Sequence, residues 1–236
     1  ESFMELRMDD RVALITGGSD GLGRAMAHAF SESGASVAIA ARGQEKLNSA
    51  CAAISQATGH RIEAYAADVS DAGQIAALYD KVTADLGQVD ILVNNAGTSQ
   101  TGRFEEVTDE IWQADLDLKL MAAIRLCRLV LPGMKERRWG RIINVLNTAA
   151  KAPSGGSAPT SVSRAAGMAL TKVLAGEGAA HNVLANALCT GIIESGQWDR
   201  RFEAQGAGKT KDEFLADMAK ERGLPIGRLG TAAEFA

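Results

Sequence analysis

The first residues of the chain with the spacing to do chemistry are glycines. Thr16–Gly17–Gly18–Ser19–Asp20–Gly21–Leu22–Gly23 follows the apolar run Val12–Ala13–Leu14–Ile15 and opens a helical pattern. Glycines let a backbone turn sharply and come close to a pyrophosphate, whose charge then meets the positive end of the helix dipole. Three glycines alone could be an ordinary tight turn. Their place directly after a strand, with a second apolar run arriving at Val37–Ala38–Ile39–Ala40, reads as a dinucleotide loop. The end of that second run sets the choice of dinucleotide. An acidic side chain there would accept hydrogen bonds from ribose hydroxyls and repel a 2′-phosphate. The sequence instead reads Ala40–Ala41–Arg42, and a guanidinium suits phosphate as a planar cation with several donors. NADP(H) is favoured over NAD(H), with Asp20 in the loop a modest argument the other way.

The elements that must position this loop alternate along the chain. After the first two strands, Ile91–Leu92–Val93, Arg141–Ile142–Ile143–Asn144–Val145 and Val183–Leu184–Ala185–Asn186–Ala187–Leu188 are further short apolar runs, and 61–66 is a weaker alternating one. Runs this short and apolar on both faces suit parallel strands covered by helices. Helix-length segments lie between them at 22–33, 44–58, 71–86, 109–137 and 158–180. Six alternations predict an α/β fold with a doubly wound parallel sheet, and right-handed crossovers give the strand order 3-2-1-4-5-6. Residues 1–236 read as one dinucleotide-binding domain of the Rossmann kind, with no repeat or linker to divide them. The stretch 192–222 is longer than an ordinary crossover and carries two short helical pieces, at 198–203 and 211–219. Ligands bind beyond the carboxyl ends of such strands, so 192–222 is expected to be a substrate lid.

Composition narrows the remaining classes. The balance of 46% apolar and 23% charged residues suits one large core, and the net charge of -4 offers no basic footprint for nucleic acid. Cys51, Cys127 and Cys189 are odd in number and lack metal-ligand spacing, which argues against disulfides and for a reducing cytoplasm. His28, His60 and His181 are scattered, so no metal site is expected. No apolar run approaches the roughly 20 residues of a membrane span. Glu1 to Met4 read as an unstructured or appended end rather than a signal peptide.

The Gly-xxx-Gly-x-Gly spacing resembles the short-chain dehydrogenase/reductase family, and further matches extend the resemblance over nearly the whole chain. Asn94–Asn95–Ala96–Gly97 is similar to the family's Asn-Asn-Ala-Gly motif, and Asp68–Val69 to its adenine-binding pair. Gly140 to Val145 matches its fifth strand, and Ala185 to Gly191 its sixth strand and following turn, with Thr190 where Pro is usual. The resemblance implies cofactor contacts from Gly17, Ser19, Asp20, Gly21, Leu22, Gly23, Arg42, Asp68, Val69, Asn95, Ala96 and Gly97. After the sixth strand it adds Gly191, Ile193 and Ser195, the last a hydroxyl residue that holds the nicotinamide amide.

The same resemblance implies a catalytic Ser, Tyr, Lys and Asn, and here all four positions are changed. The Ser position falls on Asn147, the Tyr position thirteen residues later on Thr160, and the Lys position on Arg164. The Asn position, seven residues past Trp112, falls on Lys119. A Thr hydroxyl is a far weaker acid than a Tyr, and an Arg stays protonated and cannot relay a proton. The only tyrosines, Tyr65 and Tyr79, lie in the third strand and third helix. Arg164 could still bind ribose hydroxyls and Asn147 a carbonyl oxygen, so the orienting half of the machinery survives. A desolvated Lys119 or Lys151 could supply the acid. Otherwise these cations, with Arg164, could bind a carboxylate or stabilise an enolate. Lys119 could equally be an exposed helix residue, and Lys151 a solvated loop residue. Cys189 reads better as a small buried residue than as a thiol donor, and Ser157, Ser161 and Ser163 as helix-start polar groups.

Three functions remain open on these residues. The favoured one is an NADP(H)-dependent oxidoreductase acting on a carbonyl or hydroxyl small molecule, with anionic ones among the candidates, through a non-standard proton donor. The others are a non-redox lyase, dehydratase or isomerase, and a catalytically silent NADP(H)-binding protein. Helices 109–137 and 158–180 are apolar on more than one face, and in similar proteins they form a four-helix contact, which implies a homodimer or homotetramer. The resemblance also implies a seventh strand, which does not appear before Ala236.

Overall fold

Every residue of β1 (Val12–Thr16) is buried, which a strand achieves only when paired on both edges and covered on both faces. In the computed structural model, which describes residues 7–206 and 208–236, both conditions hold. β1 pairs in parallel with β2 (Ser36–Ala41) on one side and β4 (Ile91–Asn94) on the other. β3 (Ile62–Ala66) extends the sheet beyond β2, while β5 (Gly140–Asn147) and β6 (Val183–Thr190) extend it beyond β4. The order is β3-β2-β1-β4-β5-β6, as the alternating pattern predicts. The segment Glu1 to Met4 lies outside the described residues.

Side chains alternate across each strand, so the sheet feeds two cores. Val12, Leu14, Ala38, Ala40 and Leu92 face one layer, packed by α3 (Ala72–Leu86), α5 (Ala122–Glu136) and α6 (Thr160–Gly178) through residues such as Ile75, Leu126 and Leu174. Ala13, Ile15, Val37, Ile39 and Val93 face the other, packed by α1 (Gly21–Glu32) and α2 (Gln44–Thr58) through Met26, Phe30, Leu47 and Ile54. The spacing of these helix residues by three or four places one apolar stripe on the sheet.

Two details differ from the sequence pattern, and a third follows it. The helix expected over 109–137 is interrupted: α4 (Asp109–Leu116) passes through a π-helical turn at Asp117–Met121 before α5 begins. The helix expected from 158 starts at Thr160, because Ala158–Pro159 pairs antiparallel with Thr101–Gly102 in a two-residue ladder. The stretch 192–222 folds into α7 (Gly196–Gln205) and α8 (Lys211–Glu221). Phe202 and Phe214 pack at 5.8 Å between ring centroids, and Lys211 Nζ meets Asp199 Oδ1 at 2.6 Å, so the two helices form one unit. Among the described residues, no helix is long and apolar enough to cross a membrane.

Candidate active site

The strand order reverses between β1 and β4, leaving a crevice beyond their carboxyl ends. Thr16 and Asn95 clip its two sides together. Thr16 Oγ1 accepts from the backbone N–H of Asn95 at 3.0 Å and of Ala96 at 3.1 Å. Asn95 Nδ2 donates to the carbonyls of Thr16 at 3.0 Å and Gly17 at 3.2 Å. This packing explains two of the glycines. Gly17 sits at φ +67°, and a Cβ on Gly23 would lie 2.2 Å from the Gly17 carbonyl oxygen. Asp20 caps α1 by accepting from the Gly21 N–H at 2.7 Å, and Ser19 is half-buried beside it. Below the crevice, Asn94 Nδ2 donates to Asn144 Oδ1 and Asn144 Nδ2 to Thr171 Oγ1, each at 2.8 Å, tying β4 to β5 and α6.

Arg42 lies exposed just past β2, with no ion pair among the described residues. Its charge helps hold the Asp68 carboxyl below the usual range, after the larger effect of hydrogen bonds from the Ser70 hydroxyl and N–H. Arg42 and Asp68 therefore face one region at the edge of the sheet, while Val69 is buried in the core.

At the other end of the crevice, the four changed positions come together with a fifth residue. The π-helical turn carries Lys119, whose side chain is fully buried and donates to Asp115 Oδ1 and, at 2.7 Å, to Thr160 Oγ1. π-Helical turns shift a helix's phase and recur at functional sites. Asp115 Oδ2 accepts from Ser163 Oγ at 2.6 Å. Thr160 is held from the opposite side, where its hydroxyl donates to the Gln100 carbonyl at 2.6 Å and accepts from the Gln100 N–H at 3.0 Å. The adjoining ladder between Thr101–Gly102 and Ala158–Pro159 fixes that approach.

Arg164, one turn along α6, donates through Nη1 to the Val145 carbonyl at 2.7 Å and passes beneath Gly97, where a Cβ would lie 2.5 Å from Nη2. Among the described residues, its Nε is buried without a hydrogen-bond partner, and so is Asn147 Oδ1. Burial pushes the Lys119 ammonium down to about 8, against the pull of Asp115 and with a smaller push from Arg164. Burial likewise lowers Arg164, to about 10, against Asp115. Two cations and one carboxylate leave this cluster with an excess positive charge, suited to stabilising an oxyanion.

A cleft of about 1080 Å³ runs along the crevice and is lined by Gly17, Asp20, Gly21, Leu22, Asn95, Ala96 and Gly97 at one end. Asn147, Thr160, Arg164, Gly191, Ile193 and Ser195 line it further along. Lys119 lies behind Thr160 rather than on the cleft wall, and Lys151 is exposed and away from it. Ser157 and Ser161 pair through their hydroxyls at 3.0 Å near the start of α6, and Cys189 is half-buried in β6. Tyr65 is remote, its hydroxyl donating to Asp85 at 3.0 Å. Sequence reasoning did not single out Asp115 or Gln100, and read Ser163 only as a polar group at a helix start. The one visible signal was the i, i+4 spacing of Asp115 and Lys119. It also passed over Arg200, Arg201 and Arg222, which line the cleft from the stretch 192–222. No group of three His, Cys, Asp or Glu side chains arranged to hold a metal occurs among the described residues.

Comparison with known proteins gives consistent matches. The family profile described as short chain dehydrogenase matches residues 11–206. The chain is 35% identical to D-beta-hydroxybutyrate dehydrogenase of Cupriavidus necator over 97% of its own length and 88% of that protein's. L-sorbose reductase from Gluconobacter frateurii, solved with NADPH and L-sorbose, superposes with a TM-score of 0.93 at 33% identity, covering 98% of this chain and 89% of that one. An NADPH-bound short chain oxidoreductase from Pseudomonas aeruginosa, described as containing an atypical catalytic center, is 38% identical with a TM-score of 0.88, covering 97% and 87%.

Proposed function

Because the chain belongs to the short-chain dehydrogenase family, we propose that it is an NADP(H)-dependent oxidoreductase that interconverts a carbonyl and a hydroxyl group on a small molecule, with Lys119 and Thr160 as its proton route. The observation that carries this reading is the buried chain Asp115–Lys119–Thr160, which ends at the cleft wall.

The residues present fit the cofactor. The N-terminus of α1 and the glycine turn at Gly17 offer backbone N–H groups to a pyrophosphate. Arg42 offers an exposed guanidinium to a 2′-phosphate, and the Arg164 guanidinium, whose Nη2 lies beside Gly97 at the cleft, suits a ribose hydroxyl. Structures solved with NADPH stand among the similar proteins, in support of this preference. Bound, the nicotinamide would supply or take up a hydride.

The protein's part in reduction is to bind, orient and protonate. Asn147, which lines the cleft, offers its amide N–H to the carbonyl oxygen and so orients it. As negative charge grows on the substrate oxygen, the Thr160 hydroxyl hydrogen turns from the Gln100 carbonyl to that oxygen and is transferred. Lys119 Nζ passes a proton to Thr160 Oγ1, leaving a neutral amine beside the Asp115 carboxylate. The hydrogen bond given up to Gln100 is worth about 0.5–1.5 kcal/mol, small beside the gain from neutralising an alkoxide in a dry site. A proton from solvent then restores Lys119, and oxidation runs the same steps backwards. The homodimer implied by the sequence would use α6, where Val162 and Val173 are exposed at 48% and 56%.

The test is NADPH oxidation across a panel of small carbonyl compounds, with alcohol oxidation by NADP⁺ alongside. Turnover that prefers the phosphorylated cofactor supports the reading. Tight NADPH binding with no turnover in either direction would replace it with a silent binding protein.

A further inference from the structure

Two acidic side chains of the lid are taken up by its own lysines: Asp199 pairs with Lys211 at 2.6 Å and Asp217 with Lys209 at 2.7 Å. Arg200, Arg201 and Arg222 have no ion-pair partner among the described residues, yet all three line the cleft. Arg201 is also held in place. The indole N–H of Trp198 donates to the Ile193 carbonyl at 2.8 Å, fixing a ring over which the Arg201 guanidinium sits at 4.8 Å. Pairing of α7 with α8 through Phe202 and Phe214 keeps this face turned inward.

Among the described residues, the only carboxylate on the cleft wall is Asp20, at the glycine loop and engaged as the cap of α1. Arg164 adds a fourth guanidinium, and Lys119 a further cation close behind the wall. Three arginines without ion-pair partners along one cleft repel, and the repulsion grows as water leaves. The arrangement becomes stable when an anion sits among them, and guanidinium groups receive carboxylate and phosphate oxygens in pairs.

We infer that the substrate carries an anionic oxygen group, a carboxylate or a phosphate, which Arg200, Arg201 and Arg222 receive on the lid side of the cleft. This rests on the oxidoreductase reading for what happens at the reacting carbon. The anion site itself is a property of the lid. Binding the anion there draws α7 and α8 toward Asn147 and Thr160, so the group that gives affinity also closes the site over the carbonyl.

The test compares matched pairs that differ only in charge: acetoacetate with methyl acetoacetate, and dihydroxyacetone phosphate with dihydroxyacetone. Binding is measured by calorimetry with and without NADP⁺, for the wild-type chain and for the Arg200→Gln/Arg201→Gln variant. The charged member of one pair is expected to bind about 10-fold tighter or more, and the responding pair tells carboxylate from phosphate. That preference should shrink in the variant and in high salt. Equal binding within both pairs, or none, overturns the inference. So does a variant that keeps the preference and loses NADP⁺ affinity, since the arginines would then serve the cofactor. If the wild-type chain fails to bind NADP⁺, the oxidoreductase reading falls, while the comparison without cofactor still decides the anion site.

Discussion

Replacing Lys119 by methionine keeps most of the length of the side chain and removes its charge and all its donors. Asp115 Oδ1 would lose its ammonium partner, Thr160 Oγ1 would lose a donor at 2.7 Å, and only the Ser163 bond at 2.6 Å would still serve the carboxylate well. Both side chains of the ion pair are essentially inaccessible. Stranding a buried charge of this kind costs about 3–5 kcal/mol. For a chain of this size that predicts a melting temperature lower by roughly 6–20 °C. Loss of a positioned acid should slow hydride-coupled reduction by about 10²–10⁴-fold in single turnover. A fold that merely loosened would give a slow enzyme as well, so the second variant is Lys119→Met with Asp115→Asn. Its neutral amide keeps hydrogen bonds to Ser163 and Thr160, and most of the lost stability should return while the rate stays low. Rapid-mixing measurement of nicotinamide absorbance reads the rate, and thermal unfolding reads the stability. A folded Lys119→Met protein that reduces substrate at the wild-type rate would refute the proton route.

The same cluster and loop give further expectations. The reduction rate should fall as pH rises through about 8, where Lys119 loses its proton, and this limb should vanish in Lys119→Met. Because burial lowers that group in the folded chain, its charge costs most stability below pH 8, and the wild type should gain stability as pH climbs from there toward 10.5. Thr160→Val should slow reduction as much as Lys119→Met, with no further loss when the two are combined, as expected of residues acting in one relay. Arg42→Ala should weaken NADPH binding roughly 10- to 100-fold and leave NADH binding unchanged, read by fluorescence titration. Gly23→Ala would press a methyl group against the Gly17 carbonyl at 2.2 Å and Asn95 Nδ2 at 2.6 Å, so cofactor binding should fail and stability drop by about 1–3 kcal/mol.

Much of the architecture was legible because it depends on patterns that survive in one dimension. Val12–Ile15 and its counterparts are too short for helices and apolar on both faces, and one handedness rule then orders them. The glycine loop was legible because its spacing and its place after β1 leave few other uses. The catalytic end was legible only as four positions, through resemblance. What joins them is tertiary: the π-helical turn at Asp117–Met121 shifts hydrogen bonding by one residue, which leaves no mark in the sequence. Lys119 could have pointed to water. Contact with Ser163 and Thr160 on α6 buries it and makes Asp115 its partner. Lys151 and Lys119 looked alike in the sequence, and one is exposed while the other is sealed. The two helical pieces of 192–222 were readable from the sequence, yet which of their side chains line the cleft depends on α7 meeting α8 through Phe202 and Phe214.

The most direct measurement for the central claim is a fluorescence titration of the purified protein with NADPH, with NADH in parallel. The account predicts saturable binding that is tighter for NADPH. Failure of both to bind would make the glycine loop a relic and contradict the oxidoreductase reading.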